Sequence, residues 1–307
     1  MNIQSIAAVI IWLAAWVALR LQLEAAILLF AALVLVPIGL SLIAVSGSSA
    51  TEAFLLRLAR RIQLPAATAL AASFAFDQGS VAAILAAPWL VVTLLLAAAG
   101  ARRLVGNGFR FDSTTAEAAA LLFIPVGGGW AIISRAGLRP QDFSHAIVLL
   151  TAVHFHYAGF LLPLIASCVT RRLQDQSGAQ SPARIDAIML LGIVLGVPAV
   201  GVGISLSPHV EICAAIAVAL ASVTLSIRQM QAALKNGDAT QVTLALVSSL
   251  SLMAAMGLAG TYAVGEFSGR RWLEIPTMIR THGAFNAFGF AACGIAAWSR
   301  AGMQKAA

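Results

Sequence analysis

Residues 80–100 read SVAAILAAPWLVVTLLLAAAG, twenty-one positions without a charged side chain. A helix of about 20 apolar residues spans the hydrocarbon core of a bilayer. Comparable runs fill the chain at 3–19, 24–45, 64–76, 80–100, 114–134, 143–169, 184–205, 209–229, 240–265 and 277–299. Of the 307 residues, 60% are apolar and only 10% are charged, with a mean hydropathy of +0.92. A soluble domain carries about 25% charged residues, so this chain has too little charge to coat a water-facing surface. The expected fold class is all-α, a polytopic integral membrane bundle of about ten transmembrane helices. No polar stretch is long enough for a second domain, so 1–307 reads as a single membrane domain.

The charges that remain set the topology. Net charge is +7, but the basic residues lie in short loops, where they orient the helices, and not in a stripe for nucleic acid. With ten crossings, loops after even-numbered helices hold 13 basic residues and those after odd-numbered helices hold 6. If 64–100 crossed only once, the split would fall to 11 against 8. The sharper asymmetry favours ten crossings, with both termini cytoplasmic. No Lys or Arg precedes Arg20, so 3–19 reads as a retained first span, not a cleaved leader. The run 64–76 is short and begins at Pro65, a natural first helical position. Residues 50–63, with Arg57, Arg60 and Arg61 on one face, read as a cytoplasmic amphipathic helix lying on anionic lipid. Cys168, Cys213 and Cys293 are scattered through apolar runs and read as packing residues. Five helices plus five would allow an inverted repeat, though the halves share no evident sequence pattern.

Three helices carry polar groups at membrane depth. In the sixth run, His154-Phe155-His156-Tyr157 begins about 16 Å below the outer end. His154 and His156 diverge by about 200° around the helix, so they do not chelate one metal; His154 and Tyr157 share a face. In the tenth run, His282 and Asn286 lie four apart on one face, near Gly283, Gly289 and Gly294. In the fifth, Pro125-Val126-Gly127-Gly128-Gly129-Trp130 reads as a break in the helix. All three lie in the outer half, which predicts one shared polar cavity there. Glu117 lies nearer the cytoplasm as an interfacial carboxylate or a proton site. Asp77, in Asp77-Gln78-Gly79, reads as a turn residue or a member of the cavity. His209 and Glu211 read as solvated loop residues.

These segments, together with Val36-Pro37-Ile38-Gly39-Leu40 and Met278-Ile279-Arg280-Thr281, resemble the YndJ-like family of bacterial membrane proteins. The resemblance covers most of the chain. It implies a polytopic protein of the bacterial cytoplasmic membrane and a transporter-like topology, but assigns no residue a role.

Two functions compete at this level. The first is a transporter of a small, lipophilic or weakly polar solute, bound by His154, His156, Tyr157, His282, Asn286 and Trp130, with histidine as a proton carrier. The second is a membrane-embedded isomerase or cyclase acting on a lipid or isoprenoid in the same cavity. It would use Asp77 or Glu117 as general acid and His154, His156 or His282 as base or orienting group. A structural or assembly role ranks last, for want of extramembrane surface. The sequence calls for no cofactor and no metal; the expected partners are membrane lipids and the solute, with no nucleic acid.

Overall fold

The computed structural model describes residues 3–43 and 49–306. Helices dominate them: α1 (Ile3–Ala18), α2 (Leu23–Leu42), α3 (Ala50–Ser73), α4 (Ser80–Asn107), α5 (Ser113–Arg135), α6 (His145–Ser177), α7 (Arg184–Leu206), α8 (Pro208–Asn236), α9 (Ala239–Phe267) and α10 (275–306). Seven of them (α2 and α4–α9) are long and apolar enough to cross a membrane. Large apolar side chains point outward at helical spacing, as at Val81, Ile84, Val91 and Leu94 on α4. Such a surface would aggregate in water and is at ease in lipid.

The chain groups into two compact units. Unit 1 holds residues 1–109 and 117–161, and unit 2 holds 110–116 and 162–307. The last of the three boundaries falls inside α6, just after a π-helical stretch at Tyr157–Leu161.

Helix α2 is the core of unit 1. It is apolar all round, and every residue from Ala25 to Val36 is buried; a helix without a polar face is buried against other helices or lipid. Its middle, Ala31–Leu35, widens into a π-helix. Pro37 follows directly and has no N–H to return to the preceding turn. The buried amide of Gln63 on α3 donates to Ala32 O instead, at 2.7 Å. Two more α2 carbonyls are met from outside: Trp12 Nε1 donates to Ala26 O at 2.8 Å, and Tyr157 Oη to Ile27 O at 3.0 Å.

Two readings of the sequence change here. Residues 50–63 are not a separate interfacial helix. They run without interruption into 64–73 as α3, 24 residues long, with Pro65 inside it. At about 1.5 Å per residue the whole rod reaches roughly 36 Å, which removes the shortness of 64–76. Its start is capped by Ser49, whose side chain accepts from Glu52 N at 3.2 Å. Nor is α5 broken. Ser113–Arg135 is one helix through Pro125 and the three glycines. Neighbouring helices protect a proline-weakened turn in a membrane bundle, and the glycines serve close approach: a Cβ on Gly128 would come 2.5 Å from Thr93 Oγ1 of α4.

In unit 2, α7 and α8 form a tight hairpin about Ser207, closed at one end by Asp186 and Arg228. That pair is two-pronged, Nε–Oδ1 2.6 Å and Nη2–Oδ2 2.7 Å. Gln229 ties α8 to α9 and α10, donating to Ala245 O and Ser249 Oγ and accepting from Trp298 Nε1. Asp238 caps α9 through Gln241 N and pairs with Arg300. The cap hydrogen bond, followed by the arginine, holds its carboxyl below the usual aspartate range.

Near the start of α5, in unit 1, Arg103 lies buried between Glu52 and Glu117. It meets Glu52 through Nε at 2.7 Å and Glu117 through Nη1. Removing one partner of a buried ion pair costs about 3–5 kcal/mol, because the other charge stays behind. Arg103→Leu is therefore expected to destabilise the protein by at least that much, and adding Glu52→Gln and Glu117→Gln should recover most of the loss. Thermal unfolding of the purified variants in detergent would check both.

Candidate functional site

His156 and Tyr157 sit where α6 changes from α to π geometry. A π-bulge offsets the helix register and is common at functional sites. His156 is fully buried, with its ring 17° from coplanar with Trp89 of α4. Trp89 Nε1 donates to His156 Nε2 at 2.9 Å, and His156 Nδ1 lies 2.7 Å from Ala152 O. An indole nitrogen only donates. Nε2 is thus the acceptor, Nδ1 carries the proton, and the ring is neutral in this arrangement. Gly127 of α5 makes room for it: a Cβ there would stand 2.7 Å from Nδ1 and 2.9 Å from Cε1.

His154 occupies the opposite side of α6. It is exposed, and its Nδ1 donates to Leu150 O at 2.7 Å. The divergence expected from helical geometry is present. In unit 2, His282 and Asn286 lie on two successive π stretches of α10, Ile279–Gly283 and Phe285–Ala292. His282 Nδ1 donates to Ala255 O of α9 at 2.9 Å, and Asn286 Nδ2 lies 3.1 Å from His282 Nε2. Ser248 of α9 donates to Phe290 O at 2.8 Å, which serves a carbonyl of the second π stretch. His209 is exposed and meets Phe267 edge-on at 5.5 Å. Trp130 packs at 6.5 Å against Phe143.

The two carboxylates proposed as acids are not brought together. Glu117 is locked to Arg103 near the start of α5. Asp77 is exposed in the turn after α3, which is stitched to the far end of α5: Gly79 N donates to Arg135 O at 2.9 Å and Gln78 Nε2 to Ser134 O at 3.1 Å. The eighteen residues from Glu117 to Arg135 span about 27 Å of helix.

At that far end, unit 1 holds a pocket of about 300 Å³. It gathers the end of α1 (Arg20), the start of α2 (Gln22, Glu24), the end of α3 (Phe74), the turn at Gln78, the end of α5 (Ser134, Arg135) and the start of α6 (His145, Leu149). The charge count of the sequence expects these ends on one side of the membrane, the outer one. His145, Leu149 and His156 fall within about 40° of one another around α6, so His156 lies beneath the pocket, about 10 Å deeper than Leu149. Tyr157 and its partner Ile27 lie beneath it too, because Glu24 and Ala25 line the pocket one turn above Ile27. Of the residues singled out from the sequence, His156 and Tyr157 lie beneath the pocket and none lines it, because the lining comes from separate loops.

The glycines of α5 offer a test of this packing. Gly127→Ala should cost about 1–3 kcal/mol, since the new methyl displaces His156 from Trp89. Gly129→Ala, with nothing within 4 Å of its Cβ, should be neutral or slightly stabilising. Paired thermal unfolding in detergent would distinguish them.

The chain matches the family profile of YndJ-like protein over residues 26–290. A relative from Bacillus subtilis (strain 168), named "Uncharacterized membrane protein YndJ", is 28% identical over 211 residues, which cover 68% of this chain and 37% of the relative. The chain thus matches little more than a third of that relative's length. No solved structure matches it. With its motifs inside the matched region and its helices built for lipid, the chain belongs to the YndJ-like family of membrane proteins.

Proposed function

We propose that the protein is a transporter of a small solute, admitted through the pocket of unit 1. The observation that carries this reading is the stacking of the pocket above a closed layer at π-helical segments. Polar and charged side chains make up about half of the pocket's lining. Below it the path is shut by two hydrogen bonds, Trp89 to His156 and Tyr157 to Ile27. Tyr157 begins one π stretch, and Ile27 lies just before another on α2. A π stretch holds one residue more per turn than the flanking α-helix, so the helix can shift register there at low cost. Each bond joins helices that such a shift would separate. Interhelical hydrogen bonds in membranes are worth about 0.6–1.7 kcal/mol, weak enough to break and reform in a working cycle.

His156 fits the part of a gate better than that of a binding group. Both ring nitrogens are engaged, and protonating Nε2 would turn the Trp89 contact from attraction to donor–donor repulsion. A proton on His156 would therefore open the layer. The expected solute also shifts. The sequence favours a lipophilic one, whereas seven of the thirteen residues lining the pocket are polar or charged, which suits a solute with a polar head. The enzyme reading loses ground because each candidate acid is otherwise placed, Glu117 paired with buried Arg103 and Asp77 exposed in the turn after α3.

Alternating access gives a test that needs no knowledge of the solute. In a background with Cys168, Cys213 and Cys293 replaced by Ser, Leu149→Cys should react with a membrane-impermeant maleimide from the pocket side only. Ile124→Cys, one turn deeper than Gly127 on α5, should react slowly, from the opposite side. Tyr157→Phe should speed the reaction of Ile124→Cys with reagent on the pocket side roughly fivefold, in keeping with a lost bond of about 1 kcal/mol. Equal labelling of Ile124→Cys with and without Tyr157→Phe would refute the gate.

A further inference from the structure

Arg135 is an unusual arginine. It is 7% exposed, yet among the described residues it has no carboxylate within salt-bridge distance. Its Nη2 donates to two carbonyls at the end of α3, Ser73 O at 3.1 Å and Phe76 O at 2.7 Å. Its guanidinium carbon lies 4.5 Å from the centre of the Phe74 ring. Among the described residues its Nε is buried without a hydrogen-bond partner. Buried guanidinium groups are ordinarily paired with an anion. The carboxylate that acts on it most, Asp77, is exposed in the turn.

Three further features of the pocket favour negative charge. Arg20 adds a second guanidinium, from a backbone held at φ +49°, a conformation uncommon outside glycine and asparagine. The pocket includes the first residues of α2 and α6, the ends where helix dipoles are positive. No side chain caps the start of α2, so its first N–H groups are left for another acceptor. Glu24 is the one carboxylate in the lining, and it opposes the same charge.

We propose that this pocket binds an anionic oxygen-bearing head group, a phosphate or carboxylate, seated on Arg135 and Arg20. The inference rests on the pocket assigned above to the transported solute, and it names that solute's chemical class. The same chemistry is offered by a free anion or by the head of an anionic lipid. Arg135 supplies planar donors from a dry wall, and Arg20 closes the site from the exposed rim. Glu24 sets a limit on affinity, so that a bound head group can leave again.

The test uses the full chain purified in dodecyl maltoside, with inorganic phosphate and acetate titrated by calorimetry. In parallel, nanodiscs of phosphatidylglycerol and of phosphatidylcholine are followed by native mass spectrometry for retained lipid. Arg135 also holds the end of α3, so the deciding variants are Arg20→Asn, which suits a positive φ, and Glu24→Gln. Arg20→Asn should weaken phosphate binding, and Glu24→Gln should tighten it, each on the order of tenfold. Phosphate or acetate binding with that pattern supports a free anion. Retention of phosphatidylglycerol alone, reduced by Arg20→Asn and raised by Glu24→Gln, supports a lipid head group. Binding of neither, or binding indifferent to both substitutions, overturns the proposal. These measurements need no transport. Anion binding without alternating access would therefore remove the transporter reading alone, and alternating access without anion binding would remove this inference alone.

Discussion

Hydrocarbon offers no hydrogen bond, and unit 1 is organised by that fact. Helix α2 lies at its centre, buried from Ala25 to Val36. An ideal α-helix satisfies its own backbone, but Pro37 after the π stretch has no N–H to return and leaves a carbonyl short. The donors come from three other helices: Trp12 of α1 serves Ala26, Gln63 of α3 serves Ala32, and Tyr157 of α6 serves Ile27. Arg60 of α3 serves Leu40. Gln63 replaces the donor that Pro37 lacks, and the other side chains add a second donor to carbonyls of α2, fastening α1, α3 and α6 to it.

The same economy explains why polar residues and π stretches coincide. His156 and Tyr157 flank the π onset in α6. Gln63 serves the one in α2, and Ser248 serves the second one in α10. A widened turn exposes backbone acceptors, and a donor placed beside it prevents the cost of leaving them unpaired.

The helices themselves were legible because hydrophobic length is close to a direct readout in lipid. The errors came from local signals that the surroundings overruled. Pro65 looked like a helix start, yet α3 runs through it. The triple glycine after Pro125 looked like a break. In the fold Gly127 and Gly128 are contact points for His156 and Thr93, and packing against those neighbours stabilises the turn that propensity alone would dissolve. The opposite placement of His154 and His156 followed from helical geometry and held. The pocket was not legible, because Arg20, Glu24, Gln78, Arg135 and His145 lie in or beside separate loops, and proximity between loops is a property of the folded chain.

One signal for the pocket was nevertheless present in the charge count. The loops that the ten-crossing charge count reads as outer hold six basic residues, and Arg20 and Arg135 are two of those six. A positive charge on the depleted side opposes the orienting rule, so it needs a reason of its own. For Arg135 the reason is partly mechanical, since it closes the end of α3 onto the end of α5. Mechanical duty alone would be met by a neutral donor such as glutamine, which Gln63 shows is adequate for a buried carbonyl in this fold. A guanidinium brings a full charge that two carbonyls and a phenylalanine ring only partly offset. What distinguishes arginine from glutamine at this position is therefore the charge itself, and it is turned toward a pocket from the side of the chain where positive charge is scarcest.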